Sequence, residues 1–226
     1  MKRLLRTLVL VAFFIPGYAQ TTLYWADVTV QKKESERVLW SVQSGPRFQK
    51  SYGLYSAFVT STVQYKISRQ FTAVGGFSYF FGNPPGKDHL NEIRPWQGLR
   101  ADFKLHSRVM FLNAVRIEER WFLYKDSNEM LFRFRYQTGF NFTIFQNNDK
   151  GTKAYVPVAF EIFQEIGKKL FINMERVYAG VGYEFRNNRV ELYYINQQQR
   201  VNTETPFEVT QNIARAKWIF VLQSRN

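Results

Sequence analysis

Between Met130 and Phe145 the chain alternates almost without error for sixteen residues. Phe132, Phe134, Tyr136, Thr138, Phe140, Phe142 and Ile144 share one parity, while Arg133, Arg135, Gln137, Asn141 and Thr143 share the other. Successive side chains of a strand point to opposite faces, so this segment carries one oily, aromatic face and one charged, hydrophilic face. A soluble sheet hides its oily side beneath a second layer. The alternative is a closed barrel whose oily face meets lipid and whose charged face lines the interior.

The same parity recurs along the chain. Strands are predicted at Thr22–Gln31, Arg37–Ser44, Gly53–Ile67, Phe71–Phe81, Glu92–Leu105, Arg108–Phe122, Met130–Phe145, Lys153–Gln164, Phe171–Phe185, Arg189–Gln197 and Asn212–Gln223, with no helical period between them. Turn chemistry marks the breaks at Ser68-Arg69-Gln70, His106-Ser107, Asn147 to Gly151 and Asn187-Asn188. Two breaks are longer, Gly82–Asn91 with its Pro84-Pro85-Gly86, and Gln198–Gln211. Short turns on one side and longer loops on the other are the plan of an outer-membrane barrel. A purely antiparallel sheet closes only with an even number of strands. The expected fold is therefore an all-β, up-and-down antiparallel transmembrane barrel of about 10 strands (10 to 12), the segment Thr22–Gln31 being packed in the lumen or paired with an unseen twelfth.

The outward faces continue from strand to strand: Phe103 and Leu105, then Val109, Phe111, Val115, Ile117 and Trp121, then Val156, Val158, Phe160 and Ile162, then Val177, Ala179, Val181, Tyr183 and Phe185. Tyr and Trp near strand ends, including Trp40, Tyr55, Tyr65, Trp96, Trp121, Tyr124 and Trp218, suit aromatic girdles at two interfaces. Glycines within strands, Gly75, Gly76, Gly98, Gly139, Gly180 and Gly182, cost stability unless they relieve bending or make room.

Export is expected from the first residues. Lys2, Arg3 and Arg6 precede an apolar run from Leu8 to Ile15, and Gly17-Tyr18-Ala19 supplies small residues for cleavage before Gln20. Residues 1–19 read as a signal peptide and 20–226 as a single barrel domain of the outer membrane of a Gram-negative bacterium. The apolar run is too short for a spanning helix, which needs about 20 residues, so strands must carry any membrane role. The formal net charge of +13, less those three basic residues, is +10. The basic side chains are scattered singly beside carboxylates rather than clustered, which argues against a nucleic-acid partner. With no cysteine, the chain has no disulfide, no cysteine nucleophile and no cysteine for a lipid anchor.

Five segments carry a family resemblance. Arg116-Ile117-Glu118-Glu119-Arg120, Phe132 to Tyr136, Ala159 to Phe163, Arg176 to Tyr183 and Val190 to Tyr194 resemble, in this order, the domain-of-unknown-function 2490 family. The resemblance covers the mature chain and implies an exported outer-membrane barrel of the kind common in Bacteroidota. It supplies no established activity and no catalytic residues. Such barrels commonly end their last strand on an aromatic residue; this chain ends Leu222-Gln223-Ser224-Arg225-Asn226, with Trp218 and Phe220 shortly before.

The candidate site is the inward row Arg100, Asp102, Arg116, Glu118, Arg120, Arg133, Arg135, Glu161, Arg176, Glu184 and Glu191. One reading is an electrostatic lining that selects a small solute. The other is that alternating signs pair with one another and fill a narrow lumen, sparing each charge its desolvation cost. No catalytic residue, cofactor or metal is assigned: there is no Cys, no His pair and no acidic loop of calcium spacing. His106 and Ser107 are sequence neighbours and are expected to point apart, and His89 follows Asp88 in the Pro/Gly loop. Glu119 is expected to face outward near a strand end, opposite to Glu118. A lipid-modifying enzyme working at the rim is a second reading. A secreted soluble barrel with reversed faces, holding an apolar ligand among Phe132, Phe134, Phe140 and Phe142, is a third.

Overall fold

The computed structural model describes residues 21–83, 89–166, 171–200 and 205–222. The expected signal peptide, the Pro84-Pro85-Gly86 turn with Asp88, and Gln223 to Asn226 lie outside the described residues. Eleven strands follow one another: β1 (Thr21–Lys33), β2 (Val38–Gln49), β3 (Gly53–Lys66), β4 (Phe71–Gly82), β5 (Leu90–His106), β6 (Val109–Leu123), β7 (Asn128–Asn147), β8 (Thr152–Ile166), β9 (Phe171–Phe185), β10 (Asn188–Gln199) and β11 (Glu208–Leu222). Each pairs with its sequence neighbours, and β11 returns to β1 to close a barrel.

A ring of eleven strands cannot alternate direction throughout, so one pair must run the same way. That pair is β1–β11, parallel and in register from Thr21 opposite Gln211 to Lys32 opposite Leu222. The expected all-β barrel of 10 to 12 strands is what forms, with eleven. Both placements expected for Thr22–Gln31, packed in the lumen or paired with a twelfth strand, are corrected, because β1 belongs to the wall, bonded to β2 on one side and β11 on the other. A parallel ladder is slanted and slightly weaker than an antiparallel one. It still satisfies backbone groups that a lone lumen segment would have to satisfy elsewhere.

The strand ends joined in the pairs β1–β2, β3–β4, β5–β6, β7–β8 and β9–β10 gather at one rim, and those joined in β2–β3, β4–β5, β6–β7, β8–β9 and β10–β11 at the other. The two longest connections, after β4 and β10, join strand ends at the second rim. In the short turns Ser35 Oγ accepts from the amides of Arg37 and Val38, and Ser68 Oγ from those of Gln70 and Phe71. At Gly151 the backbone takes a φ of 58°, a conformation that a residue without Cβ adopts freely.

Prolines shape the wall. Pro46, Pro95 and Pro157 each lie within a strand, and each interrupts the ladder with one neighbour while the register resumes unchanged beyond it. Proline has no N–H to donate, and the strand on its other side remains paired. Pro46 is also why the expected strand Arg37–Ser44 stops early: β2 continues through the proline to Gln49.

Side-chain parity is uniform around the ring. Val115, Ile117 and Trp121 are exposed on the outside of β6, and Phe132, Phe140 and Phe142 on that of β7. Arg133 and Glu118 are buried inside, and Tyr55 and Trp96, expected in the outer girdles, line the interior instead, Tyr55 at a bulge opposite Arg47 and Phe48 and Trp96 by sharing the parity of Arg94. The reversed assignment, with these phenylalanines within, is not the one adopted. Phe71, Phe103, Phe111, Phe140 and Phe142 form a chain of ring contacts with centroids 5.0 to 6.4 Å apart across β4 to β7, near the short-turn rim. Inside, Leu23, Trp25, Tyr178, Ile195 and Ile213 make a small apolar core between β1, β9, β10 and β11. At Gly182 a Cβ would lie 2.2 Å from the Tyr155 ring, so glycine here makes room for an inward tyrosine.

Candidate functional site

The interior is built around buried carboxylates. Glu118, on β6, is 0% exposed. Arg133 on β7 donates to its Oε2 at 2.5 and 2.8 Å, Arg135 donates to Oε1 at 2.7 Å, and Arg116 reaches Oε1 at 2.9 Å. Arg135 also donates to Glu161 Oε1 on β8, whose second oxygen accepts from the Tyr178 hydroxyl on β9. Four neighbouring strands thus contribute to one continuous network. The rings of Phe163 and Trp25 form its apolar floor: Arg133, Arg135 and Arg176 lie 4.6 to 5.2 Å from the centre of Phe163. A guanidinium stacked this way keeps its N–H edge available for carboxylates.

Glu92 is a second centre, held bidentately by Arg94 at 2.8 Å and by Arg120 at 2.7 and 3.1 Å. Asp27 on β1 is a third. It accepts from Gln43 at 3.0 Å and from Arg215 Nε at 2.6 Å across the parallel seam. Glu191 on β10 is a fourth, taking the Tyr155 hydroxyl at 2.5 Å, with Lys217 and Arg189 at 3.9 and 3.8 Å.

Of the expected residues, Arg116, Glu118, Arg120, Arg133, Arg135, Glu161 and Arg176 converge within this interior. Arg100 and Asp102 pair at 3.1 Å beside a separate cavity, which Glu191 also lines. Glu184 lies toward the short-turn rim, half-buried and 3.7 Å from Arg189. Asp27, Arg47, Glu92, Arg94, Arg215 and Lys217 are not in the expected row. Their signal was parity: Arg94 shares its strand face with Arg100, and Arg215 and Lys217 oppose the outward Trp218. Arg47 lies beyond Pro46, where the expected strand had ended.

Among the described residues, two cavities stand out in the interior. The larger, about 550 Å³, is lined from β1 to β7 and by parts of β8, β9 and β11; the smaller, about 450 Å³, lies against β5 to β11. Tyr178, Arg215 and Lys217 line both. Nine Arg or Lys side chains and two carboxylates line the larger one.

The His106–Ser107 turn departs from expectation. Ser107 Oγ lies 3.2 Å from His106 Nδ1. Strand alternation separates neighbours, but a two-residue turn does not. The pair is exposed, and among the described residues the ring has no carboxylate partner to orient it as a base. His89 packs its ring 5.5 Å from Phe81. Glu119 is exposed on the outer face. No group of three metal-ligating side chains occurs among the described residues.

The family model described as "Protein of unknown function (DUF2490)" matches residues 22–208, most of the chain, from β1 to the first residue of β11. No curated protein matches the sequence.

Proposed function

The chain belongs to the DUF2490 family of proteins of unknown function, and from that membership and the geometry of the wall we propose that it is an outer-membrane barrel with a structural or small-solute role. Residues 1–19 direct its export, and the remainder forms one domain. The observation that carries this reading is the exterior. Tyr24, Tyr52, Tyr79 and Trp121 stand exposed toward one rim, Trp40, Tyr65, Tyr183 and Trp218 toward the other, and Val59, Val177, Val181 and Leu192 between them. Aromatic residues at two levels with aliphatic residues between them match the interfaces and the hydrocarbon of a bilayer. A soluble protein rarely leaves so extended an apolar surface uncovered. Strands of 12 to 20 residues exceed the roughly 9–11 that a tilted strand needs to cross.

The interior supports the second half of the reading. Carboxylates shared among several guanidinium groups hold the side chains in place, and the two cavities leave room for small solutes rather than a wide aqueous channel. Fractionation of a Gram-negative host tests the location. The protein is expected to stay with membranes washed in carbonate and to need detergent for a monodisperse state. Release into the wash as a monodisperse, detergent-free species would overturn the proposal.

A further inference from the structure

Positive charge in the larger cavity is compensated unevenly. Around Glu92 and Glu118 each guanidinium has a carboxylate. Around Trp25 the situation differs. Three guanidinium carbons lie near its ring: Arg47 at 4.3 Å from the centroid, Arg176 at 5.4 Å and Arg215 at 5.8 Å. Of the three, Arg215 alone forms an ion pair among the described residues, with Asp27. Arg176 donates Nε to the neutral Gln197 at 2.7 Å and lies opposite Glu161, a carboxylate already engaged by Arg135 and the Tyr178 hydroxyl. Arg47 stacks on Trp25 and also lies 4.9 Å from Phe58 and 5.3 Å from Phe80, and its buried Nε has no protein acceptor. Two further buried donors of this cavity, Trp96 Nε1 and Thr29 Oγ1, likewise have no protein partner.

Like charges held close together away from bulk water are costly unless an anion joins them. Rings occupy the guanidinium faces, which leaves the N–H edges to grip an oxyanion in a fork. Arg47 has no ion pair among the described residues and Arg176 shares Glu161 with Arg135, so the cluster keeps an excess of positive charge that a phosphate ester, with one to about two negative charges at neutral pH, offsets. A cavity of about 550 Å³ is also of the size that holds small organic ligands, roughly 300–1,000 Å³.

We infer that Arg47, Arg176 and Arg215, gathered on Trp25 of β1, form a binding site for a phosphate group carried by a small solute or a lipid headgroup. The inference deepens the small-solute reading and rests on solutes reaching the lumen, whereas it does not depend on where the barrel resides.

Calorimetric titration of the full-length protein in detergent tests it, with glycerol phosphate as one ligand and phosphatidylglycerol in mixed micelles as the other. Saturable binding is expected, weakened at least tenfold by Arg47→Gln and by Arg176→Gln, and unchanged by Arg69→Gln in the exposed β3–β4 turn. Binding of glycerol phosphate supports a soluble phosphate ester as the ligand. Binding of phosphatidylglycerol alone supports a headgroup at the same site. Saturation by neither at millimolar concentration, or wild-type affinity in both lumen variants, overturns the inference. Should the variants fail to fold, the wild-type protein still decides: glycerol phosphate or phosphatidylglycerol is expected to raise its melting temperature above that in chloride of equal ionic strength, and no rise with either overturns the site. Membrane fractionation reads out separately, so a barrel retained in membranes without phosphate binding and one that binds phosphate but washes off sink different claims.

Discussion

Glu118 takes three arginines at 2.5 to 2.9 Å, and a fourth, Arg94, at 3.9 Å, while wholly hidden from solvent. A carboxylate in such a place costs several kcal/mol to desolvate, and its partners repay this only by near-ideal geometry. Removing one member exposes the imbalance. Glu118→Gln, which keeps the shape and loses the charge, is expected to destabilise the folded barrel by about 3–5 kcal/mol, read as a shift in the urea midpoint during unfolding from detergent or lipid. The exposed Lys32–Glu34 pair, with each side chain 53% accessible, makes the contrast. Glu34→Gln there is expected to change stability by less than about 1 kcal/mol. Equal effects at the two positions would mean that the interior is as well solvated as the surface. The paired core of this network was legible in the sequence because Arg116, Glu118, Arg133 and Arg135 sit on strands with clean alternation. Arg47 was not legible: Pro46 looks like a strand end, and in the barrel it interrupts only one of two ladders.

At the scale of the strand, period-two patterning specified type and face with little ambiguity. Phe171–Phe185 has the expected limits, and Met130–Phe145 grows only to Asn128–Asn147. Strand count was harder, because patterning says nothing about which strand lies beside which, and a parity rule for purely antiparallel sheets does not govern a ring with one parallel pair. The face assignment has an energetic consequence in lipid. Val177 is next to the midpoint of β9 and is exposed outward, whereas Phe185 ends the same strand. Val177→Arg is expected to cost about 2–4 kcal/mol of folding free energy in liposomes and Phe185→Arg about 0–1. If both substitutions cost the same, the outer face of β9 does not span a bilayer.

For the whole molecule, the ladder between β1 and β11 is the one contact that joins the two ends of the strand order, and every other pairing joins sequence neighbours. The Arg215–Asp27 bond across it closes a separation of 188 residues. With no native cysteine to interfere, Ala26→Cys with Ala216→Cys, two residues in direct register across the seam, gives a clean probe. Oxidation of that pair is expected to stabilise the barrel by about 2–4 kcal/mol over its reduced form, measured as the difference in denaturation midpoint with and without reductant. No difference would mean that the seam stays shut in the denatured ensemble or that its register is not the one described.

Before that seam forms, the chain is a strip with two long free edges, each a row of unpaired amides and carbonyls. Such edges can satisfy each other or those of a second copy. Closure is therefore a unimolecular event competing with a bimolecular one, and the yield of refolded barrel is expected to fall as the concentration of unfolded chain rises.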